Sequence, residues 1–306
     1  MKPINWYPGH MKKTRELIGD NLKLVDAVVE VCDSRIPISS RNPILSEIVS
    51  GKPRILILNK SDLADKAATQ EWLDYFHRNK SEIYASVLAL NSMIGDGVRG
   101  LLSKLESIED EKTAAGAATY KGERSLRLMI VGIPNSGKSS LINRLTGRRA
   151  TQVGDRPGIT KGKQWLTLQN GMQLLDTPGI LWPKFEDPEV GLNLAFCGSI
   201  RDEIMDTVEL GLELIRTLLS DWPVELAGRY GISIEDLDVR DGEEEFDEDG
   251  HPIGTTDPAL AAMDAIARAR GFLQQGGKID YERTARMILD EFRAGKIGRI
   301  TLERVL

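Results

Sequence analysis

One glycine-containing segment constrains the fold of this chain more than any other stretch. Gly132-Ile-Pro-Asn-Ser-Gly137-Lys138-Ser139 matches the pattern G-x-x-x-x-G-K-[ST]. A short apolar run precedes it, and residues 139–147 can open a helix behind it. In this context the glycines let backbone N–H groups surround phosphate oxygens, and the helix N-terminus adds positive potential. The segment predicts a phosphate-binding loop; the alternative is a glycine-rich turn that binds nothing.

The loop and the chain after it supply candidate ligands for a nucleotide and its metal ion. Lys138 is expected to contact the β- and γ-phosphates, and the Ser139 hydroxyl to bind Mg²⁺. Asp176-Thr-Pro-Gly179 resembles the D-x-x-G element, in which the Asp holds Mg²⁺ through water and the Gly senses the γ-phosphate. Thr160 is a candidate switch threonine that completes the Mg²⁺ shell, although a lone threonine also fits a plain surface role. The predicted nucleotide contacts in the loop are Asn135, Ser136, Gly137, Lys138, Ser139 and Ser140.

Short apolar runs that end in Asp, Asn, Ser or Gly recur along the first half of the chain. Helix-like stretches lie between most of these runs, which occupy 25–35, 52–62, 83–92, 125–140 and 172–179. Continuous apolar runs that alternate with helices indicate a parallel sheet covered on both faces. The predicted fold class is therefore α/β, a doubly wound parallel sheet of the P-loop NTPase kind. Ligands bind such sheets beyond the carboxyl ends of the strands, where every candidate motif lies.

A guanine-reading motif follows the second of these runs. Asn59-Lys60-Ser61-Asp62 resembles N-K-x-D and ends a strand. Asp62 would accept hydrogen bonds from guanine N1 and N2 and reject adenine, because a mismatched base leaves buried polar groups unpaired. Asn59 would tie the base loop to the phosphate loop, and Lys60 counts as a further nucleotide contact. The next strand ends in residues that would back the base: Ala89, Leu90 and Asn91.

The motifs occur in an unusual order. In GTP-binding proteins the base-reading motif normally comes well after the phosphate loop, whereas here the order is fourth, fifth, first, second, third. A sheet whose natural termini lie close can be joined there and cut elsewhere without changing its contacts. The small, polar segment 109–125 would be that join. The sequence therefore predicts a circularly permuted GTPase.

The second half of the chain changes to helical spacing. A chain of 306 residues exceeds the usual size of one domain. Apolar stripes that begin at Ile204, Leu260 and Tyr281 predict three helices, the last of which Gly295 could cap. We expect a circularly permuted GTPase domain at 1–185 and a smaller all-helical domain at 186–306. An acidic segment, 241–258, interrupts the latter as a predicted disordered loop.

Charge is distributed unevenly. The net charge is −6, but 241–249 holds seven acidic residues, and removing seven negative charges from −6 leaves +1. Basic residues cluster at 144–163 and again at 283–304. Such patches suit phosphate backbones, although ordinary solvated faces are the alternative. No apolar run reaches the length of a membrane helix, and no secretory signal opens the chain, so we expect a cytoplasmic protein without membrane contact.

Four segments resemble the circularly permuted GTPases, and specifically the ribosome biogenesis GTPase A family. They are "WYPGHMKK" at 6–13, "DSRIPISSRNP" at 33–43, "DTPGILWPKF" at 176–185 and the C-terminal run 276–303. The resemblance spans nearly the whole chain. It implies a GTPase that binds GTP and GDP and acts late in assembly of the large ribosomal subunit. The implied partner is the subunit precursor, with its ribosomal proteins and with ribosomal RNA contacted through the helical domain.

Two positions bear on the mechanism that this resemblance implies. Many GTPases carry Gln after D-x-x-G to orient the attacking water, but this chain has Ile180. The resemblance points to His10 as the catalytic candidate, and its alternative roles are to cap the first helix or fix the N-terminal segment. Asn135 stands where similar GTPases ligate a monovalent cation, which implies K⁺ as a second metal ion; its alternative role is to stabilise the loop.

Competing functions remain open at the level of sequence. One is a GTPase that serves RNA modification or metal handling, and another is a nucleotide-binding scaffold without turnover. Intact Lys138, Ser139, Thr160 and Asp176 argue against the scaffold. A monomer is the default expectation for the oligomeric state.

Overall fold

The structure is a computed structural model. It describes residues 18–43, 49, 51–79, 84–114, 125–147, 164–176, 187–200, 205–237, 239 and 257–305. The chain divides into two compact units. The first, called the GTPase unit below, comprises Met1–Leu194 and Thr301–Leu306; the second, the helical unit, comprises Ala195–Ile300. This division differs from the predicted one because the last residues of the chain return to the first unit.

A six-stranded sheet forms the centre of the GTPase unit. Its strands are β1 (Ala27–Asp33), β2 (Arg54–Asn59), β3 (Ser86–Ala89), β4 (Arg127–Gly132), β5 (Gln164–Thr167) and β6 (Gln173–Asp176), in the order β3-β2-β1-β4-β6-β5. All neighbours pair in parallel except β5 and β6. Every residue of β1 and β2 is buried, as expected for strands covered on both faces. The predicted α/β class is confirmed.

Helices cover both faces of this sheet. On one face, α2 (Val98–Ala114) and α3 (Lys138–Thr146) pack Leu101, Leu105 and Leu141 against inward-facing strand residues. On the other, α1 (Lys66–Arg78) packs Trp72 and Phe76 against β2 and β3. Residues 18–22 are helical and contribute Ile18 and Leu22 to a neighbouring cluster. The covered faces leave the carboxyl edge of the strands as the place for a site.

Two features differ from the sequence prediction. The antiparallel edge strand β5 was not predicted, because its four residues give too short an alternation to recognise. Helix α2 continues to Ala114, into the segment 109–125 predicted as a connector. Residues outside the helix stabilise its last turns. Glu109 Oε1 accepts a hydrogen bond from Leu126 N at 2.7 Å, and Lys112 Nζ forms an ion pair with Asp26 at 2.6 Å. The rest of that segment, 115–124, lies outside the described residues.

The three predicted apolar stripes form α5 (Thr207–Asp221), α7 (Pro258–Arg270) and α8 (Tyr281–Arg293). Two further helices, α4 (Pro188–Phe196) and α6 (Pro223–Tyr230), were not predicted. Asp206, Asp257 and Asp280 cap α5, α7 and α8 with side-chain oxygens. Gly295 follows α8 with φ +69°, as a C-terminal cap requires. Of the predicted acidic loop, only 257–258 are described, and they begin α7. No helix among the described residues is both long and apolar enough to cross a membrane.

One glycine permits a close contact between two helices of the helical unit. A Cβ built on Gly211 of α5 would lie 2.6 Å from Ala285 Cβ and 3.0 Å from Ala285 Cα on α8. Met263 Cε of α7 would be 3.3 Å away. Real side-chain atoms cannot approach so closely, so α5 and α8 must move apart to admit even a methyl group.

We therefore expect Gly211→Ala to destabilise the protein by about 1–3 kcal/mol through overpacking. Gly228→Ala is the matched control, because Gly228 is also helical but has nothing within 4 Å of a built Cβ. That change should stabilise by roughly 0.4–1 kcal/mol. Thermal unfolding of the full chain, followed by far-UV circular dichroism, measures both. Equal shifts in the two variants would contradict the close approach.

Candidate nucleotide-binding site

The candidate site lies where four parallel strands end together. Cα partners in the ladders include Asp33 with Asn59, Leu58 with Ala89, and Val31 with Gly132. Because these strands run in one direction and in this register, the loops that follow them meet at one edge. The phosphate loop, the N-K-x-D motif and the loop after β3 are thus brought together by the sheet itself.

The phosphate loop turns through left-handed backbone positions. Gly132, Asn135 and Gly137 have φ of +153°, +57° and +94°. Inside the loop, the Ile133 carbonyl accepts from Ser136 Oγ at 3.0 Å and from Lys138 Nζ at 2.6 Å. Lys138 is 8% exposed, so its ammonium group is held within the loop. Helix α3 begins at Lys138, and no side chain of its N-cap residue Gly137 covers that end. This is the arrangement that binds phosphate at a helix N-terminus.

Position 137 requires glycine for two reasons: its φ is positive, and there is no room for a side chain. A Cβ on Gly137 would lie 2.1 Å from Asn59 Nδ2 and 3.4 Å from Ser92 Oγ. The phosphate loop therefore passes against the base-reading loop at a distance that only glycine allows. Gly132 is similarly close to Val31 O of the neighbouring strand, at 2.3 Å from a built Cβ.

Asn59 connects three of the four loops. It is fully buried, and its Nδ2 donates to Ser136 O of the phosphate loop at 2.8 Å. Its Oδ1 accepts from Ser92 N, after β3, at 3.0 Å. Its backbone carbonyl accepts from Ser34 N at 2.8 Å and Ser34 Oγ at 2.7 Å, after β1. The link between base and phosphate loops that the sequence predicts is present.

Lys60 lies in the left-handed region, with φ +58°, and turns its side chain to Asp33. Lys60 Nζ is 2.9 Å from Asp33 Oδ2, and Arg35 NH2 is 2.8 Å from the same oxygen. Arg35 Nε donates to Asp33 Oδ1 at 2.9 Å. The sequence motif predicted that Lys60 contacts the nucleotide. In the structure the ammonium group of Lys60 pairs with a protein carboxylate, that of Asp33. The sequence places Asp33 in a segment that carries the family resemblance and at the end of a buried strand, but it did not identify Asp33 as the partner of Lys60.

Asp33 keeps its charge in this buried position. Burial by itself raises the pKa of its carboxyl, but the Arg35 and Lys60 cations outweigh burial and hold that pKa well below its usual range. Because the folded pKa is below the unfolded value, the ionised carboxylate stabilises the fold above about pH 4. That contribution disappears only as the pH falls through the lower, folded pKa. The support of Lys60 is therefore constant around neutral pH.

The base-reading end of the site is more open. Asp62 is exposed and makes no hydrogen bond with the described residues, so its carboxylate is available to a ligand. Ala89 ends β3, and the Leu90 side chain lies in the hydrophobic core, so Leu90 offers the site only its backbone. Asn91 Oδ1 accepts from Met93 N and Ile94 N, at 2.9 and 3.3 Å, and shapes the turn after β3.

Several predicted residues lie outside what the structure describes. His10, Thr160 and Gly179 belong to such segments, and of Asp176 only the backbone, at the end of β6, is described. Asn135, Ser139 and Ser140 are partly exposed around the start of α3. The described part of the site thus contains the phosphate loop and the base-reading loop.

These residues fit a guanine nucleotide. The uncapped start of α3 and the buried Lys138 suit phosphates, and the available Asp62 carboxylate suits two N–H donors of a base. The Ser139 hydroxyl stands at the second residue of α3, where it would hold Mg²⁺. When bound, Mg²⁺ supplies charge neutralisation between the phosphates.

Comparison with known proteins agrees with this geometry. A family model described as "50S ribosome-binding GTPase" matches residues 127–225. Ribosome biogenesis GTPase A of Priestia megaterium is 43% identical over 98% of this chain and 96% of its own. GNP-bound YlqF from T. maritima has a TM-score of 0.59 and 30% identity over 95% of this chain and 98% of that one. A GDP-bound YlqF structure gives 0.60 and 29% over 94% and 98%.

The fold and the site define a P-loop GTPase with a circularly permuted sheet. Guanine nucleotide is its ligand, and its activity is GTP hydrolysis. The chain belongs to the ribosome biogenesis GTPase A family, whose members take part in ribosome biogenesis.

We expect Gly137→Ala to abolish measurable GDP binding, because the added methyl group displaces Asn59 and the phosphate loop together. Gly171→Ala is the control, since Gly171 has a similar φ of +87° but nothing within 4 Å of a built Cβ. The control should lose about 1 kcal/mol of stability through backbone strain and still bind GDP. Titration calorimetry with GDP measures both. Equal affinities would show that the two loops need no close contact.

Proposed function

We propose that this GTPase assists late assembly of the large ribosomal subunit, and that contact with the subunit switches on GTP hydrolysis. The observation that carries the proposal is the Asn59 link, which joins base-reading and phosphate loops in the permuted order of the family. The family model supports the large subunit as the partner, since its description names 50S binding. Hydrolysis on arrival would then allow release.

Selectivity for guanine rests on Asp62. The Asn59 link and the Asp33–Lys60 pair hold the first two residues of the motif, and Asp62 follows two residues after Lys60. An ionised carboxylate accepts from the N1 and N2 donors of guanine, whereas adenine offers no such pair. A base that leaves Asp62 unpaired is therefore rejected.

Hydrolysis needs a group that orients water, and Ile180 cannot supply it. We assign that role to His10, whose imidazole can accept a proton or a hydrogen bond from water. Lys138, held at the start of α3, would stabilise charge on the transferred phosphoryl group. Thr160 would complete the Mg²⁺ shell, and Asp176 would hold that ion through water. Asn135 would hold a K⁺ ion near the phosphates, where positive charge favours the transition state.

The helical unit is the proposed contact with ribosomal RNA. An open groove along α8 includes Arg283, Arg286 and Lys296, and Arg299, three residues after Lys296 in the sequence, is exposed. Four acidic residues, Asp280, Glu282, Asp290 and Glu291, also line this groove and outnumber its three basic ones. Arg293 is not available, because it donates to the carbonyls of Phe196 and Ala195. Contacts to phosphates should therefore be few, and binding should weaken with salt.

The role of Asp62 predicts a change of base preference. In xanthine a carbonyl replaces the 2-amino group of guanine, and an Asn side chain can donate to that carbonyl. Asp62→Asn should lower affinity for GDP by about 100-fold or more and raise affinity for xanthosine diphosphate. Competition of both nucleotides for the same protein measures the change. Loss of GDP binding without any gain for xanthosine diphosphate would contradict the assigned contact.

If the large subunit switches on GTP hydrolysis, adding it should raise the hydrolysis rate. Large ribosomal subunits should raise GTP hydrolysis by at least about tenfold in K⁺ buffer, which corresponds to about 1.4 kcal/mol of barrier. His10→Ala should bind GTP normally but respond weakly to subunits. Replacing K⁺ with Na⁺ should lower the rate if Asn135 holds the ion. Phosphate release in single-turnover assays measures each of these.

The control for this assay is the small ribosomal subunit. It offers abundant RNA but should leave the rate unchanged. If both subunits stimulate equally, the partner is RNA in general and the protein serves another RNA-related process. If neither stimulates, the large subunit is not the activating partner.

A further inference from the structure

The loop that follows β1, residues 34–43, is buried to an unusual degree. Ser34, Ser39, Ser40 and Asn42 are each at most 2% exposed. Loops normally lie on the surface, because buried backbone polar groups must all find partners. This loop satisfies part of that demand internally, with the Ser40 hydroxyl bonded to Ile36 O at 2.7 Å and Asp33 N at 3.0 Å.

Leu302 and Glu303 provide further hydrogen-bond partners for this loop. Within the GTPase unit, Glu303 receives hydrogen bonds from Ile38 N, from Ser39 N at 2.8 Å and from Ser39 Oγ. Leu302 N donates to Arg35 O at 2.8 Å. Trp72 Nε1 donates to Glu303 O at 3.0 Å, which holds the tail from the other side. A single carboxylate thus accepts from three donors of the loop.

Both chain connections that lead to the helical unit are fixed on the same loop residue. That unit leaves the GTPase unit after Leu194 and returns at Thr301. Asn193 Nδ2, one residue before the exit, is 3.4 Å from Ser39 Oγ. Glu303, two residues after the return, accepts from the same hydroxyl. A displacement of either connection would therefore act on Ser39.

The other end of this loop supports the base-reading motif. Asp33 pairs with Lys60, and Ser34 donates twice to Asn59 O. Arg35 belongs to both ends, because its guanidinium binds Asp33 while its carbonyl accepts from Leu302 N. Hydrogen bonds therefore run without a break from the C-terminal tail to Asn59 and Lys60.

We propose that Glu303 is a positioning residue of the guanine site, which acts by ordering loop 34–43 and, through Asp33, the N-K-x-D motif. The inference rests on the proposed function in one respect only. The proposed function supplies the event that would displace the tail, which is the binding of a partner to the helical unit. A partner that displaces either connection would loosen the base loop and speed nucleotide release. The coupling is reciprocal, so bound nucleotide would also stabilise the tail.

The test is the rate at which the full chain releases GDP, measured by displacing a ribose-labelled fluorescent GDP with unlabelled GDP. Glu303→Gln places an amide N–H group against the loop donors, and should raise the rate about five- to tenfold. Glu106→Gln is the control, because Glu106 is exposed on α2 and makes the same change of charge. Its rate should equal that of the unchanged protein.

Two further measurements separate positioning from a general loss of structure. Inosine diphosphate lacks the 2-amino group that Asp62 is proposed to bind. If Asp62 is displaced, the ratio of GDP affinity to inosine diphosphate affinity should therefore fall. General destabilisation would lower both affinities alike and leave the ratio unchanged. In a Lys60→Met background, where the Asp33 pair is already broken, Glu303→Gln should have little additional effect on the release rate.

Ser39→Ala is a second variant, for use if Glu303→Gln does not fold, and it disturbs the same hydrogen bonds less. It removes the shared hydroxyl but keeps the backbone donors, and should raise the rate in the same direction by a smaller factor. The proposal is overturned if release from these variants matches Glu106→Gln, if the ratio of the two nucleotides stays unchanged, or if the effect persists in full with Lys60→Met. Stimulation by large subunits is measured on the unchanged protein, so its failure would count against the proposed function alone.

Discussion

The site depends on one buried amide. Asn59 ends β2, and its side chain and carbonyl meet the loops after β1, β3 and β4. Each of these bonds is modest alone, but a buried donor or acceptor left without its partner costs about 1–3 kcal/mol. Replacing the Asn59 side chain would leave Ser136 O and Ser92 N, which belong to two different loops, unpaired at once. The permuted chain order therefore leaves the nucleotide site intact, because the contacts that assemble it join strand ends rather than neighbours in sequence.

Buried ion pairs also stabilise the loop that follows Asn59. Asp33 binds Lys60 and Arg35 in a nearly water-free position, where the attraction is stronger than at the surface. The pair holds Lys60 in a left-handed backbone turn that a non-glycine residue seldom adopts. Asp62 is thereby presented at the edge of the sheet with its carboxylate exposed. Rigid support and an open carboxylate are what discrimination between bases requires.

The sequence predicted the sheet, the phosphate loop and the Asn59 link, because strand-end motifs in parallel sheets necessarily meet. It did not predict β5, whose pairing with β6 depends on register rather than on a visible pattern. Nor did it predict the contacts of Glu303 with Ser39, since residues so far apart in sequence leave no periodic signal. Lys60 shows the same limit: its motif indicates nucleotide contact, and only the fold reveals Asp33 as its partner.

The return of the chain at Thr301 gives the molecule the topology of a domain insertion. Asn193 and Glu303 both reach the Ser39 hydroxyl, so the two ends of the inserted helical unit leave the GTPase unit almost side by side. Closing so short a gap costs little chain entropy. A few glycine and serine residues would span from Leu194 to Thr301, and the GTPase unit would keep its own C-terminal tail. The helical unit is thus exchangeable in principle without cutting the sheet that carries the nucleotide site.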